Sequence, residues 1–369
     1  MKNSSKFKVG DLVEVRSPEE IFSTLDKNGQ LDSLPFMPEM LAWTGKRLRV
    51  SKRAHKTCDP PNGIDGRSMP SAVHLEDTRC DGSAHAGCQA RCLLFWKDAW
   101  LKRVEEEPAG RKGAVHSDIA TAVINNSGCT EENVLAATRK RDADDTPENP
   151  TYVCQSTQVE KATQFLPWWD LRQYVEDYSS GNVRLSDILG SFFYFAYDRL
   201  ISSGLGMGAA LRWLYDTFQK LTGGTVYPAR TGRIPRGQKT PNTKLGLQPG
   251  ELVRIRSYDE ILNTLDETNH NRGMWFDAEM VPHCGKTFKV LDRVNTIINE
   301  KTGKVLHIKN DCIVLDKAVC LACYAKNRLF CPRGIFAYWR EIWLERVSPT
   351  VDTKQKPHEA AKEAVPIEG

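Results

Sequence analysis

Gly10–Asp26, GDLVEVRSPEEIFSTLD, returns as Gly250–Asp266, GELVRIRSYDEILNTLD, with ten identities in seventeen positions. Working outward at the same spacing, Phe36 falls on Phe276, Glu39-Met40 on Glu279-Met280, Gly45-Lys46 on Gly285-Lys286, Val50 on Val290 and Cys80 on Cys320. After a three-residue insertion the alignment resumes, with Cys88 on Cys331, Trp96 on Trp339 and Trp100 on Trp343. Register kept over such a length reads as an internal duplication, one structural unit used twice.

Each copy has the same local grammar. GDLVEVR and GELVRIR alternate apolar and polar residues, as a strand with one buried face does. A short helix follows, and Ser17 and Ser257 each stand three residues before a glutamate, Glu20 and Glu260, in capping-box spacing. GKRLRVSKR and GKTFKVLDR read as a second strand, SAVHLEDT and DCIVLDKA as a third, and WLKRV and WLERV as the last. Short strands around one small core predict an α+β protein with two homologous SH3-like β-barrel domains flanking a helical insert. The cysteine segment then lies just before the last strand.

The predicted boundaries are 7–104 and 246–348 for the two Cys-rich repeats. Between them come a polar linker over 105–162, a helical aromatic insert over 163–223 and a basic linker over 224–245; a disordered tail occupies 349–369. Thr130 begins one short helix in the polar stretch, and Ser186 is in place to cap the second helix of the insert. The aromatic residues of the insert, among them Trp168, Trp169, Phe192, Phe193, Tyr194, Phe195 and Tyr197, read as core and inter-helix packing. The alternative is peripheral contact with a membrane surface through 163–223.

Composition sets limits. The 369 residues are 40% hydrophobic and 27% charged with a net charge of +4, an ordinary globular balance that gives little support to a nucleic-acid binder. The opening MKNSSKFKVGDLVEV lacks the apolar core of a secretory signal, and no apolar run is long enough to span a bilayer. Cytoplasmic location is the expectation. In a reducing compartment the eleven cysteines are better read as metal ligands than as disulfides.

The cysteines cluster in CDGSAHAGCQARCLLFW (80–96) and CLACYAKNRLFCPRGIFAYW (320–339). Thiolate and imidazole donors on one short loop are what Zn²⁺ or an iron–sulfur centre needs. The candidate ligands are Cys58, His74, Cys80, His85, Cys88 and Cys92 in the first copy, and Cys312, Cys320, Cys323 and Cys331 in the second. Gly82 and Gly87 permit the tight turns of a ligand loop. His74, on a strand, could instead face the barrel, and Cys154 could serve as a remote ligand. The overall pattern resembles a bacterial Cys-rich tandem-repeat family to which no activity is assigned.

CDGSAH is similar to the CDGSH motif of [2Fe–2S] proteins, which use three cysteines and one histidine. Here Ala84 moves the histidine one place further from Cys80, and the upstream Cys-x-Cys pair is missing. Zinc is therefore the expected cofactor, with an iron–sulfur cluster as the alternative. The expected role is a metal-binding scaffold or pathway component with an unidentified protein partner. The alternatives are a redox enzyme or electron carrier, and a tandem barrel that binds nucleic acid or protein. No catalytic constellation stands out; a nucleophile would have to come from Cys88 with His85 or His74.

Overall fold

The computed structural model describes residues 5–59, 66–104, 128–140, 145–204 and 206–347. It is a mixture of helix and sheet built on several small antiparallel sheets. The first copy supplies β1 (Leu12–Val15), β2 (Arg47–Arg53), β3 (Ala72–Leu75), β4 (Trp96–Lys97) and β5 (Leu101–Arg103), paired in the order β4-β3-β2-β1-β5. The second supplies β6 (Leu252–Ile255), β7 (Thr287–Arg293), β8 (Ile313–Val319), β9 (Phe336–Trp339) and β10 (Leu344–Arg346), ordered β9-β8-β7-β6-β10.

The registers coincide as well. Val13 pairs with Leu48 and Arg103, and Val253 with Phe288 and Arg346. Both second strands carry an irregularity at the same place, between Val50 and Lys52 and between Val290 and Asp292. A bulge there adds twist and bends the sheet around its core. The strands β4 and β9 were not anticipated. They place the cysteine loop between the third and fourth strands rather than directly before the last.

Alternation along β1 buries Val13 and Val15 completely, and the same side of the sheet is filled by aromatic rings. Phe36 meets Trp100 edge-on at 5.3 Å, and Phe276 meets Trp343 edge-on at the same 5.3 Å. Each such pair adds about 1 kcal/mol beyond simple burial. The indole N–H of Trp100 donates to Thr24 Oγ1, and that of Trp343 to Thr264 Oγ1, so neither ring buries an unpaired donor. The capping boxes form as read. Ser17 and Ser257 accept the N–H of Glu20 and Glu260, whose carboxylates accept the serine N–H in return.

The polar stretch is more than a linker where it is described. Helix α1 (Pro18–Phe22) belongs to the first copy, and α2 (Glu131–Ala136) follows its Thr130 cap. Val134, Cys154, Val159 and Ala162 are all buried in the first core. Residues 105–127 and the tail at 349–369 lie outside the described residues. The basic segment 224–245 is likewise bound: Tyr227 is buried, Arg230 pairs with Asp216, and Thr240 accepts the N–H of Arg272.

The insert contains α3 (Arg172–Ser179), α4 (Leu185–Ile201) and α5 (Gly208–Thr222), the last ended by Gly223 at φ 70°. Ser186 does not cap α4. The helix starts two residues earlier, after Arg184, and the Ser186 hydroxyl turns to Asp187. The packing expectation holds for only part of the aromatic set. Tyr194 is buried against Tyr215, Tyr227 and Tyr324, whereas Trp169 and Phe193 are 62% and 66% exposed. No described helix is long and apolar enough to cross a membrane.

Candidate metal centre

The loop from Cys80 to Cys92 is closed at its neck by antiparallel bonding. Arg79 bridges Leu93, and the Cys80 N–H donates to the Cys92 carbonyl at 2.8 Å. Inside the neck the chain makes two tight turns. Gly82 and Gly87 take φ of 77° and 64°, and the N–H groups of His85 and Gly87 both donate to the Gly82 carbonyl. A side chain at Gly82 would run directly into the Cys88 backbone. This folding brings Cys80, His85 and Cys88 together: His85 Nε2 is 3.5 Å from Cys80 Sγ, and the imidazole also bonds the Cys88 thiol.

A glutamate that spacing did not reveal completes the group. Glu39, on the short 3-10 helix Pro38–Trp43, places Oε1 3.1 Å from His85 Nδ1 and 3.7 Å from Cys80 Sγ. Its side chain is 3% exposed and that of His85 is 2% exposed. The imidazole is off the line a hydrogen bond requires, so Nδ1 has no bonded partner, and Glu39 Oε2 is unpaired too. Buried polar atoms that make no hydrogen bond are costly unless something else binds them. Among the described residues, Glu39, Cys80 and His85 are the one group of three or more potential ligands whose donor atoms all lie within 4.8 Å of each other.

The local field favours deprotonated sulfur at one position. Burial pushes the Cys88 thiol up, but its bonds from His85 and from the N–H groups of Ala90 and Ile298 outweigh this and hold it below the usual thiol range. The Ile298 N–H donates to Cys88 Sγ at 3.3 Å. Burial raises Cys80, partly offset by His85. Burial also works against a charged His85, yet Cys80, Cys88 and Glu39 together raise its basicity.

Around this group lies a small cavity of about 30 Å³. Its wall takes Cys80, His85, Cys88 and Cys92 from the loop, Cys154 from the middle segment, and Ile298 and Glu300 from the second copy. Cys92 does not join the inner group. It accepts the Ser156 hydroxyl at 3.3 Å, and burial pushes it up to about 12. Cys154 is likewise pushed up to about 11 by burial.

The remaining predicted ligands lie away from this group, three of them, Cys58, Cys320 and Cys331, in one cluster of their own. His74 is wholly buried in the first core; its Nδ1 donates to the Leu94 carbonyl at 2.8 Å and its ring packs on Phe95. It is a core histidine, because β3 is covered on both faces. Cys58 leaves the first loop and faces Cys331 of the second copy, with Cys320 packed alongside. Cys312 sits apart among Val294, Val314 and Phe336. In the Cys320-x2-Cys323 pair the Cys323 thiol turns to the Leu321 carbonyl, and the Cys323 N–H is held by Glu279. Of Cys312, Cys320, Cys323 and Cys331, the structure brings Cys320 and Cys331 together and leaves Cys312 in a separate cluster. All eleven cysteines are free thiols.

Of the residues sequence reasoning passed over, Glu39 carried one signal: its alignment with Glu279 across the repeat. Neither a family model nor a curated protein matches the chain.

Proposed function

We propose that the protein is a zinc protein whose ion is held by Cys80, His85, Cys88 and Glu39 and fixes the loop between two SH3-like units. The observation that carries this reading is the meeting of Glu39, Cys80 and His85 within 4.8 Å, with buried valences left open on two of them. Ligands about 2.0–2.3 Å from a tetrahedral ion stand about 3.3–3.8 Å apart; with one donor atom from each residue, Glu39, Cys80 and His85 lie within 4.8 Å of one another, and Cys80 Sγ and Glu39 Oε1 are 3.7 Å apart. The mixed sulfur, nitrogen and oxygen set suits zinc. In each half, four strands meander and the fifth returns beside the first, which supports the SH3-like reading. Free thiols support a reducing, cytoplasmic setting.

The ion would join the two halves. Ile298 bonds Cys88, and Gln89 accepts the N–H groups of Asn295 and Thr296, so whatever orders the loop also orders the seam. Such an ion acts as a structural element of a scaffold. An iron–sulfur centre is the second reading, supported by Cys92 and Cys154, whose thiols line the same cavity.

Metal analysis and a visible spectrum of anaerobically purified, untagged protein test both. Colourless protein with stoichiometric zinc, lost in Cys80→Ser and retained in Cys312→Ser, supports the first. A brown colour bleached by dithionite supports the second. Metal-free protein that is as stable as its Cys80→Ser variant ends both.

A further inference from the structure

Helices α4 and α5 form a hairpin with two apolar sides, only one of which is covered. Tyr194 and Tyr197 of α4 pack on Tyr215 of α5, and Tyr194 continues onto Tyr227. On the outside, Leu189 and Phe193 form one stripe and Trp213, Leu214, Phe218 and Leu221 another, at helical spacing. Trp213 is 68% exposed and Leu221 is 83% exposed. Of the twenty large hydrophobic side chains exposed among the described residues, fourteen lie between Phe165 and Leu221. A soluble surface does not concentrate apolar groups in this way without something to cover them.

The charges identify the cover. The hairpin's inner acids are engaged within the protein: Asp198 accepts the Tyr227 hydroxyl at 2.5 Å, and Asp216 accepts the Tyr227 N–H at 2.8 Å and pairs with Arg230. Arg184, Arg199, Arg212 and Lys220 are exposed, and none forms an ion pair among the described residues; Asp187 is the one exposed acid to set against them. The chain that follows adds exposed Arg236, Lys239 and Lys244, with no acid before Glu251. A second copy docked on the same face would bring these cations against their own duplicates, which like-charge repulsion disfavours. An anionic surface answers both the apolar stripes and the cations.

We propose that the α4–α5 hairpin is a docking surface for an anionic lipid bilayer, lying in the plane of the headgroups. Leu189, Phe193, Leu214 and Phe218 enter the acyl boundary, the Trp213 indole stays at headgroup level, and Arg199, Arg212 and Lys220 meet lipid phosphates. The hairpin lies on the membrane and does not span it, in keeping with the length and apolarity of its helices. The proposal is independent of the metal centre.

Cosedimentation of the full chain with vesicles tests it, using phosphatidylcholine alone and phosphatidylcholine mixed with phosphatidylglycerol. The protein is expected to bind the mixed vesicles and to bind them less as salt rises. Trp213→Ser with Phe218→Ser weakens binding at least about tenfold, and Arg212→Gln with Lys220→Gln removes the preference for the anionic lipid. Both variants alter exposed side chains, so unchanged circular dichroism and metal content exclude a folding defect. Absence of sedimentation with both vesicles, equal binding to both, or a concentration-dependent dimer that the Trp213 and Phe218 changes dissolve would each overturn the proposal.

Discussion

Glu39 and Glu279 occupy the same place in the two copies, each on a 3-10 helix, but only Glu279 has both carboxylate oxygens hydrogen-bonded. Glu279 accepts the N–H groups of Cys323, Tyr324 and Ala325 at 2.7–2.9 Å and so ties down the second cysteine loop. Glu39 takes only long bonds on Oε1, from the Ala84 N–H at 3.4 Å and the Cys80 thiol at 3.7 Å, beside His85 Nδ1 at 3.1 Å, and its Oε2 is unpaired. One glutamate closes a loop with hydrogen bonds; the other keeps a free oxygen, which is where the proposed zinc would bind. Glu279→Gln is expected to cost about 1–3 kcal/mol of stability with zinc content unchanged. Glu39→Gln is expected to weaken zinc binding about 10–100-fold and to change the metal-free protein little. Urea titration and competition with a chelator read the two effects separately, and matching behaviour of the two variants would contradict the assignment.

Gly82 tests the loop without touching a ligand. Its φ of 77° already disfavours any side chain, and an added methyl would meet the Cys88 backbone. Gly82→Ala should therefore displace Cys88 and lower zinc occupancy about as far as Cys88→Ser does. Gly87→Ala is the control. Its φ is 64°, but nothing lies within 4 Å of the new methyl, so it costs about 1–2 kcal/mol of backbone strain and keeps the ion. Retention of full zinc by Gly82→Ala would show that Cys88 is not held by this turn.

The contrast between these loops also marks what the sequence could disclose. Capping by Ser17 and Ser257 and the alternating strands are local, and spacing alone predicted them; of the six candidate ligands of the first copy, Cys80, His85 and Cys88 come together, while Cys58, His74 and Cys92 do not join them. Glu39 lies 41 residues from Cys80 and looks like any surface acid until its 3-10 helix turns it inward. The Cys320-x2-Cys323 spacing could not show that Ala322 takes φ 53° and that Glu279 holds the Cys323 N–H, with the thiol turned to the Leu321 carbonyl. Cys58 was assigned to the nearer cysteines, yet its partner is Cys331 in the other copy. In α5 the 3.6-residue period marked apolar residues correctly but could not say which of two apolar stripes the protein covers.

His74 makes stability depend on pH in a direction that can be stated. Burial, only partly offset by its bond to the Leu94 carbonyl, lowers its pKa from 6.5 to about 4. Below about pH 6.5 the unfolded chain takes up a proton that the folded chain refuses until about pH 4. The contribution of this group is therefore full above pH 6.5 and is lost on acidification through that window, by about 3 kcal/mol. In His74→Phe the hydrogen bond is gone, but so is this proton uptake. The stability difference between wild type and variant should shift by that amount between pH 7.5 and pH 4 in urea unfolding. A difference that stays constant with pH would mean that the imidazole is not desolvated as described.

Arg333 is the last of the long-range contributions and the one that spans most of the fold. It belongs to the second copy, is 2% exposed, and donates to the Cys58 carbonyl of the first copy, to Ser156 of the middle segment and to Glu300 on the cavity wall. A buried cation stabilises only when every donor is met, and removing it strands the groups that met it. Arg333→Met should cost about 3–5 kcal/mol, because Glu300 loses its counter-charge and two polar atoms lose their donors. Arg333→Met with Glu300→Gln should recover part of that loss, since the stranded charge is then gone. Measured as urea midpoints on zinc-loaded protein, a double variant no more stable than the single would show that the cost lies in packing rather than in the uncompensated carboxylate. A single variant within about 1 kcal/mol of wild type would mean that the seam does not depend on Arg333.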